Sequence, residues 1–203
     1  MPIFEKQSLS INYEIFGSGP RVLFFNGSGG SIEGSQLLIN AFAQTFQVLV
    51  HDQRGLGKTS VPDGPYDMAD YAQDAVALLD HVGWEATNVI GLSFGGMVAQ
   101  EFGVTYPDRI ERLVLMCTSA GGDAGSSYPL HKLASLPIPE RNHALRLITD
   151  TRFTDEWLAV NPGDSEIMRF QEDRQDTQKT ELQLKCERLQ LEARMGHDVA
   201  DRL

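Results

Sequence analysis

The sequence has little of the features that mark several specialised classes of protein. Only two of its 203 residues are cysteine, Cys117 and Cys186, so it shows neither a disulfide framework nor a zinc-binding cluster. No apolar run reaches the about 18 residues that a transmembrane helix requires, and the N-terminus has no basic segment followed by an apolar one. These absences lead us to expect a cytoplasmic protein that holds no metal ion.

Basic residues are also scarce. Lysine and arginine together number 17 against 28 aspartates and glutamates, which gives a formal net charge of −11. Such a surface repels phosphate groups, so we expect neither nucleic acid nor a membrane as a partner. The hydrophobic fraction of 41% is ordinary for a globular protein and is sufficient for a sizeable core.

Apolar runs alternate with amphipathic segments in the first part of the chain. The predicted strands are residues 9–16, 22–25, 47–50, 88–91 and 113–117, and the predicted helices are residues 36–46, 70–82 and 94–106. Asp70 is expected to cap the second helix. Strands that alternate with helices predict an α/β fold, in which a mostly parallel, doubly wound sheet is covered on both faces.

The strand-like runs stop after about residue 120. The chain then becomes helical, with breaks at prolines, and residues 177–195 predict one long helix. We therefore expect a core domain over residues 1–120, a helical cap over residues 121–196 and a lead-in to a further strand over residues 197–203.

The sequence from Gly91 to Gly95 has the form G-x-S-x-G and lies between a predicted strand and a predicted helix. This is the context of a nucleophile elbow, in which a strained turn exposes a serine hydroxyl above the sheet. Gly91 and Gly95 leave room for the turn, and the helix N-terminus favours negative charge at the site. Ser93 is therefore the candidate nucleophile. The alternative is a serine that caps an ordinary helix.

A glycine-rich loop, which begins Asn26-Gly27-Ser28, follows an earlier predicted strand. Loops at the carboxyl ends of parallel strands meet at the edge of the sheet where ligands bind. We predict that the backbone N–H groups of Ser28 and Phe94 form an oxyanion hole, and that Asn26 and Gly27 shape the site. The alternative is a plain flexible turn.

A second polar, glycine-rich loop covers residues 52–60. Gly55 and Gly57 are too close together for the phosphate-binding motif G-x-x-x-x-G-K-[ST]. A structural loop held by Asp52 and Arg54 is the better interpretation.

With these motifs, the chain resembles the α/β-hydrolase superfamily, and in particular its small serine esterases, enol-lactonases and cofactor-free haloperoxidases. The resemblance covers residues 9–119 and rests on Phe25-Asn26-Gly27, residues 52–57, the elbow at Ser93 and residues 106–110. It implies a serine hydrolase without a cofactor that acts on a small ester, lactone or related acyl substrate. It leaves the substrate and the oligomeric state open.

The chain departs from the superfamily pattern in two respects. The superfamily usually has histidine at the position of Asn26, a structural role that another polar side chain can fill. The resemblance also implies eight strands and the order Ser, Asp or Glu, then His. Strands 1–6 and the cap fit into these residues, whereas the last two strands, the acid and the histidine are absent. We interpret the chain as a fragment of a longer enzyme, weakly active or inactive by itself. A non-catalytic small-molecule-binding module is one alternative, and completion of the sheet by a second chain is another.

Five histidines could in principle replace the missing base: His51, His81, His131, His143 and His197. His51 is expected to be structural, and His81 is expected at the far end of its helix, on the opposite edge from Ser93. The next two fall in the predicted cap, where one of them could face the pocket, and the last is expected below the sheet. Asp123 is a possible acid, but an acid without its histidine does not activate serine.

Overall fold

The computed structural model describes residues 2–6, 8–124, 128–175 and 180–203. The strands in these residues are β1 (Ile3–Lys6), β2 (Leu9–Phe16), β3 (Arg21–Phe25), β4 (Gln47–His51), β5 (Thr87–Leu92) and β6 (Ile110–Met116). The α-helices are α1 (Gln36–Ala43), α2 (Met68–His81), α3 (Phe94–Thr105), α4 (Ile138–Thr149), α5 (Asp155–Val160), α6 (Pro162–Gln175) and α7 (Glu181–Met195).

The strands form one sheet in the order β1-β2-β4-β3-β5-β6. The pairs β3–β4, β3–β5 and β5–β6 are parallel, and β1–β2 and β2–β4 are antiparallel. The predicted α/β class with a mostly parallel, doubly wound sheet is therefore confirmed. Strand β1 is an addition that the sequence pattern did not predict.

Strand β3 explains why the sheet needs helices on both faces. Val22 and Phe24 pack in one apolar cluster with Ile39 of α1, whereas Leu23 and Phe25 pack in another with residues of α2 and α3. Successive strand residues point to opposite faces, so a strand covered on both sides requires an unbroken apolar run. Each such side chain contributes about 1.5–3 kcal/mol when it is fully buried.

Helix α2 begins earlier than the sequence pattern suggested, and Asp70 is not its cap. Asp67 is the N-cap residue, and its carboxylate accepts the backbone N–H of Asp70 at 2.8 Å. The Asp70 carboxylate in turn accepts the N–H of Asp67 at 3.1 Å. Two acidic residues three positions apart thus form a reciprocal capping box, in which the first of them starts the helix.

The chain divides into two compact units. One consists of residues 1–127 and 181–203, and the other of residues 128–180, which include α4, α5 and α6. These bounds differ from the cap expected over residues 121–196. Helix α7 groups with the sheet because Leu189 and Ala193 belong to the same apolar cluster as α2 and α3. Of the predicted helix over residues 177–195, the first three residues lie outside the described part.

Strand β6 lies at one edge of the sheet and, among the described residues, pairs only with β5. Leu113, Val114 and Leu115 are 36%, 49% and 40% exposed, so this apolar strand is largely uncovered. Within the described ranges, no helix combines the length and the apolar character needed to cross a membrane.

Candidate functional site

Ser93 lies at the turn between β5 and α3, at the carboxyl end of the strand. Its backbone has φ 53° and ψ −115°, a conformation that residues other than glycine rarely adopt and that costs about 1–3 kcal/mol. The turn is held because the Ser93 N–H donates to the Met116 carbonyl of β6 at 2.8 Å and the Ser93 carbonyl accepts the Gly96 N–H at 2.9 Å. The side chain is half-buried at this sharp turn.

The two glycines that flank the turn permit a very close backbone approach. A Cβ atom at Gly95 would lie 2.5 Å from the carbonyl oxygen of Asn26 and would collide with the Phe25 carbonyl. A Cβ atom at Gly91 would lie 2.5 Å from the Gly95 carbonyl oxygen and 2.7 Å from the Ala99 Cβ. Helix α3 therefore begins directly against the ends of β3 and β5.

The loop after β3 lies beside Ser93. A Cβ atom on Gly27 would be 3.7 Å from the Ser93 Cβ, which is ordinary van der Waals contact. The buried Asn26 side chain shapes this loop, since its Oδ1 accepts the Gly27 N–H at 3.1 Å and the Ser35 hydroxyl at 2.9 Å. Its Nδ2 donates to the Ser31 carbonyl at 3.1 Å. Asparagine thus supplies three polar contacts at this position.

Two backbone N–H groups of these segments, those of Ser28 and Phe94, donate to no acceptor among the residues that the structure describes. Phe94 is the first residue of α3, where N–H groups have no intrahelical partner. Ser28 is exposed in the loop after β3. Free N–H donors near a helix N-terminus attract an atom that carries or develops negative charge.

The Asp52 carboxylate accepts hydrogen bonds from three segments of the chain, one of which is the loop after β3. The buried carboxylate accepts the Ile32 N–H at 2.7 Å, the Asn12 Nδ2 at 2.7 Å and the Lys58 N–H at 2.9 Å. A Cβ atom at Gly57 would collide with this carboxylate. The Lys58 N–H of the second glycine-rich loop thus donates to a protein carboxylate, and the N–H groups of Gly55, Leu56 and Thr59 donate to backbone carbonyls, which disfavours a phosphate there.

Arg54 fixes the other side of the same loop. Its Nε donates to the Asp74 carboxylate at 2.8 Å, and its guanidinium is 3.2 Å from the Asp70 carboxylate. Lys6 of β1 also pairs with Asp74 at 2.9 Å. The hydrogen bond to Asp74 and the neighbouring carboxylates raise the pKa of Arg54 against the opposing effect of burial, so the arginine stays charged.

No hydrogen bond joins His51, His81 or His197 to Ser93 among the described residues, and the side chain of His131 lies outside them. His51 is buried at the end of β4, where desolvation lowers its pKa, and its ring lies 5.9 Å from that of Phe25. His81 stacks on Phe4 at 4.4 Å, beyond β2 at the far side of the sheet. His143 is exposed in the second compact unit.

His197 is not below the sheet as expected. It is buried beside Ser119 and Gly121, which follow the carboxyl end of β6, and Val199 donates its N–H to the Ala120 carbonyl at 2.9 Å. Burial lowers the pKa of His197. The segment after α7 reaches this edge because Asp198 forms a β-bridge with Gly121.

The remaining candidate acid, Asp123, is not hydrogen-bonded to Ser93 in the described residues. Asp123 is exposed in a short 3₁₀ helix after β6. No hydrogen bond joins the Ser93 hydroxyl to any residue in the described ranges. In the same ranges, no group of three or more His, Cys, Asp or Glu side chains is placed to hold a metal ion.

Residues 20–146 match the family model of the α/β-hydrolase fold. This match covers more than half of the chain, so the chain belongs to the α/β-hydrolase fold family, as the motifs predicted.

Curated relatives include an enol-lactonase and a depolymerase. The chain is 31% identical over 128 residues to 3-oxoadipate enol-lactonase 2 of Acinetobacter baylyi, a match that covers 59% of this chain and 48% of that protein. It is 38% identical over 100 residues to poly(3-hydroxyalkanoate) depolymerase of Ectopseudomonas oleovorans, which covers 49% of this chain and 35% of that protein. The chain thus matches less than half the length of these two relatives.

Solved structures share the fold. The enol-lactonase from Burkholderia xenovorans LB400 superposes with a TM-score of 0.70 at 24% identity, over 99% of this chain and 76% of that chain. MGS-M2, an alpha/beta hydrolase enzyme from a Medee basin deep-sea metagenome library, gives a TM-score of 0.74 at 21% identity, over 100% and 74% of the two chains. At these identities the likeness establishes the fold alone.

Proposed function

We propose that this chain carries the nucleophile half of a serine hydrolase that acts on a small ester, lactone or related acyl substrate. The observation that carries the proposal is the turn at Ser93, whose backbone has φ 53° and which adjoins two backbone N–H groups without a described acceptor. A serine hydroxyl and free N–H donors are what acyl transfer requires, since the carbonyl oxygen gains negative charge when the nucleophile adds.

In the proposed reaction, Ser93 Oγ adds to the substrate carbonyl carbon while a histidine takes the hydroxyl proton. The carbonyl oxygen becomes an oxyanion, which the N–H groups of Ser28 and Phe94 stabilise. The tetrahedral intermediate collapses when its bond to the alkoxide oxygen breaks, and the histidine returns the proton to that oxygen to give the alcohol. Water then hydrolyses the acyl-serine ester by the same steps and releases the acid.

No base and no acid is found hydrogen-bonded to Ser93 in the part of the chain that the structure describes. We propose that they belong to the remainder of a longer protein, of which these 203 residues are a fragment. The uncovered edge of β6 supports this proposal, because Leu113, Val114 and Leu115 are apolar and 36–49% exposed. An apolar edge strand with free N–H and C=O groups is normally paired or covered.

The substrate class rests on the relatives. One is named 3-oxoadipate enol-lactonase 2, another poly(3-hydroxyalkanoate) depolymerase and a third 2-hydroxymuconate semialdehyde hydrolase. The first two names describe esters or lactones. We therefore propose a carboxylic ester or lactone as the substrate, with no cofactor.

The test is covalent labelling with a fluorophosphonate probe, which requires an activated serine. We expect the full-length gene product to be labelled at Ser93. Ser93→Ala should abolish the labelling and lower the rate of p-nitrophenyl acetate hydrolysis at least about a thousandfold. Ser135→Ala, a serine of the second compact unit, is the matched control and should retain both activities. Labelling that persists in Ser93→Ala would refute the proposal.

A non-catalytic binding module is the second candidate, since the Ser93 hydroxyl has no hydrogen-bond partner among the described residues. This module would bind an acyl compound at the free N–H groups without turnover. Calorimetric binding of a lactone by a protein that neither labels nor hydrolyses would favour it. Hydrolysis that disappears in Ser93→Ala would exclude it.

A further inference from the structure

A chain of hydrogen-bonded amides connects the loop after β3 to helix α7. The Gly29 N–H donates to Gln190 Oε1 at 2.8 Å, Gln190 Nε2 donates to Gln53 Oε1 at 3.3 Å, and Gln53 Nε2 donates to the Asn26 carbonyl at 3.1 Å. We propose that Gln190 is a positioning residue that holds the Ser28 N–H in place for the oxyanion. This inference rests on the proposed function.

The direction of this chain of amides is fixed by its two ends. The Gly29 N–H can only donate, and the Asn26 carbonyl can only accept. Gln190 must therefore turn its oxygen toward Gly29, and Gln53 must turn its NH₂ group toward Asn26. The remaining NH₂ of Gln190 and oxygen of Gln53 then face each other as donor and acceptor. A single arrangement of the two side-chain amides satisfies all three contacts.

Burial makes this arrangement hard to break. Gln190, Gln53 and Asn26 are 3%, 1% and 3% exposed, so water does not readily replace a partner that these three residues lose, whereas Gly29 at the end of the chain of amides is exposed. A buried polar group left without a partner is strongly disfavoured, and hydrogen bonds in a low-dielectric interior are strengthened. The amides therefore keep the loop in one position relative to the helix.

Helix α7 is itself a fixed support. Leu189 and Ala193 are buried in the main apolar cluster, and Cys186 contacts the second glycine-rich loop, where a Cβ atom at Gly55 would lie 3.3 Å from the Cys186 sulfur. Gln190 directly follows Leu189 in the helix and lies between Cys186 and Ala193. Packing of a helix onto a close-packed core leaves its side chains little freedom to shift.

Ser28 lies between two anchored peptide units. The Gly27 N–H donates to Asn26 Oδ1 at 3.1 Å, and the Gly29 N–H donates to Gln190 Oε1 at 2.8 Å. The N–H of Ser28 itself donates to no described acceptor. The two neighbouring hydrogen bonds thus fix the orientation of an N–H that remains available to a ligand, as a preorganised oxyanion donor requires.

The first measurement is hydrogen exchange of the Gly29 amide by NMR, which does not depend on activity. Gln190→Met keeps the side-chain length and removes the acceptor, so we expect exchange at Gly29 to accelerate at least about tenfold. Gln190→Glu keeps an acceptor for Gly29 but loses the donor to Gln53 Oε1, so it should restore only part of the protection. Gln183→Met, an exposed glutamine of the same helix, is the matched control and should leave Gly29 unchanged. Unchanged exchange in Gln190→Met would overturn the proposal.

The second measurement is ester hydrolysis by the full-length gene product. We expect Gln190→Met to lower kcat by about 10- to 100-fold with KM nearly unchanged, because the oxyanion donor is needed in the transition state. Gln190→Glu should recover part of kcat, and Gln183→Met should match the wild type. Faster Gly29 exchange with unchanged kcat would overturn the positioning role. A wild-type protein that is not labelled at Ser93 would instead overturn the proposed function, while the Gly29 exchange still decides whether the anchor exists.

Discussion

Replacement of Gly95 by alanine is expected to move the start of α3 away from the sheet. The added Cβ would lie 2.5 Å from the Asn26 carbonyl oxygen and would collide with the Phe25 carbonyl, and both are backbone atoms at the end of β3. Ordinary contact begins at 3.4 Å, so relief of the first clash requires a displacement of about 0.9 Å (3.4 minus 2.5 Å). Overpacking of this kind costs about 1–3 kcal/mol in a close-packed core.

Gly103 of the same helix provides the matched control. A Cβ atom there would meet only the ends of two side chains, Ile110 Cδ1 at 3.4 Å and Leu113 Cδ2 at 3.8 Å. Alanine is preferred to glycine in a helix by up to about 1 kcal/mol. Gly103→Ala should therefore leave the free energy of unfolding unchanged or raise it, whereas Gly95→Ala lowers it.

The assay is urea denaturation of the 203-residue chain followed by circular dichroism. In the full-length gene product, Gly95→Ala should also slow fluorophosphonate labelling at Ser93 by about 100-fold, since a displacement near 1 Å separates the proposed nucleophile from the proposed oxyanion donors. If Gly95→Ala is as stable as Gly103→Ala, this result would contradict the close contact between α3 and the end of β3, on which the geometry at Ser93 depends.

Two further substitutions test the groups that surround the site. Burial lowers the pKa of His51 below its ordinary value of 6.5, so the unfolded state takes up the proton first as the pH falls. The free energy of unfolding should therefore decrease below about pH 6.5, by up to about 1.4 kcal/mol per pH unit for this group. His51→Gln should flatten this slope in urea titrations from pH 7.5 to 5.5, and an unchanged slope would contradict a lowered pKa of His51. Asp52→Ala leaves the buried Asn12 and Ile32 donors, and the partly buried Lys58 N–H, without their acceptor and should cost about 3 kcal/mol or more. Asp63→Ala, at a fully exposed position, should leave the melting temperature nearly unchanged, and a thermal shift of similar size in both variants would contradict this reasoning.

The sheet could be predicted from the sequence because its signals are local. Residues 22–25 form an unbroken apolar run, and the structure buries them on both faces of the sheet. Strand β1 gave no such signal, since Ile3–Lys6 is short, ends in two charged residues and is only partly buried. The helix cap was misplaced because Asp67 and Asp70 both fit the start of an amphipathic segment, and only the hydrogen bonds distinguish N-cap from N3.

The network around the loop after β3 could not be predicted because its members are distant in sequence. Gln190 is 161 residues from Gly29 and 137 residues from Gln53. A glutamine within a charged helix is usually exposed to solvent. The sequence of residues 181–195 therefore does not distinguish the buried Gln190 from the exposed Gln183. The position of His197 was missed for the same reason, since its placement depends on a bridge between Asp198 and Gly121.

Two kinds of constraint therefore hold the candidate site, and they should respond differently to mutation. Ser93 is placed by steric contact, because glycines let α3 start against the strand ends, so a larger side chain at Gly95 should reduce stability and activity together. The donor loop is placed by buried hydrogen bonds from Asn26 and Gln190, which fix orientation more than they add net stability. Variants of these side chains should therefore lose more activity than their unfolding free energies account for. A plot of log kcat against the free energy of unfolding should separate the Gly95 variants from those at Asn26 and Gln190. The two sets of variants would fall on one line if the loop kept its orientation without these side-chain amides.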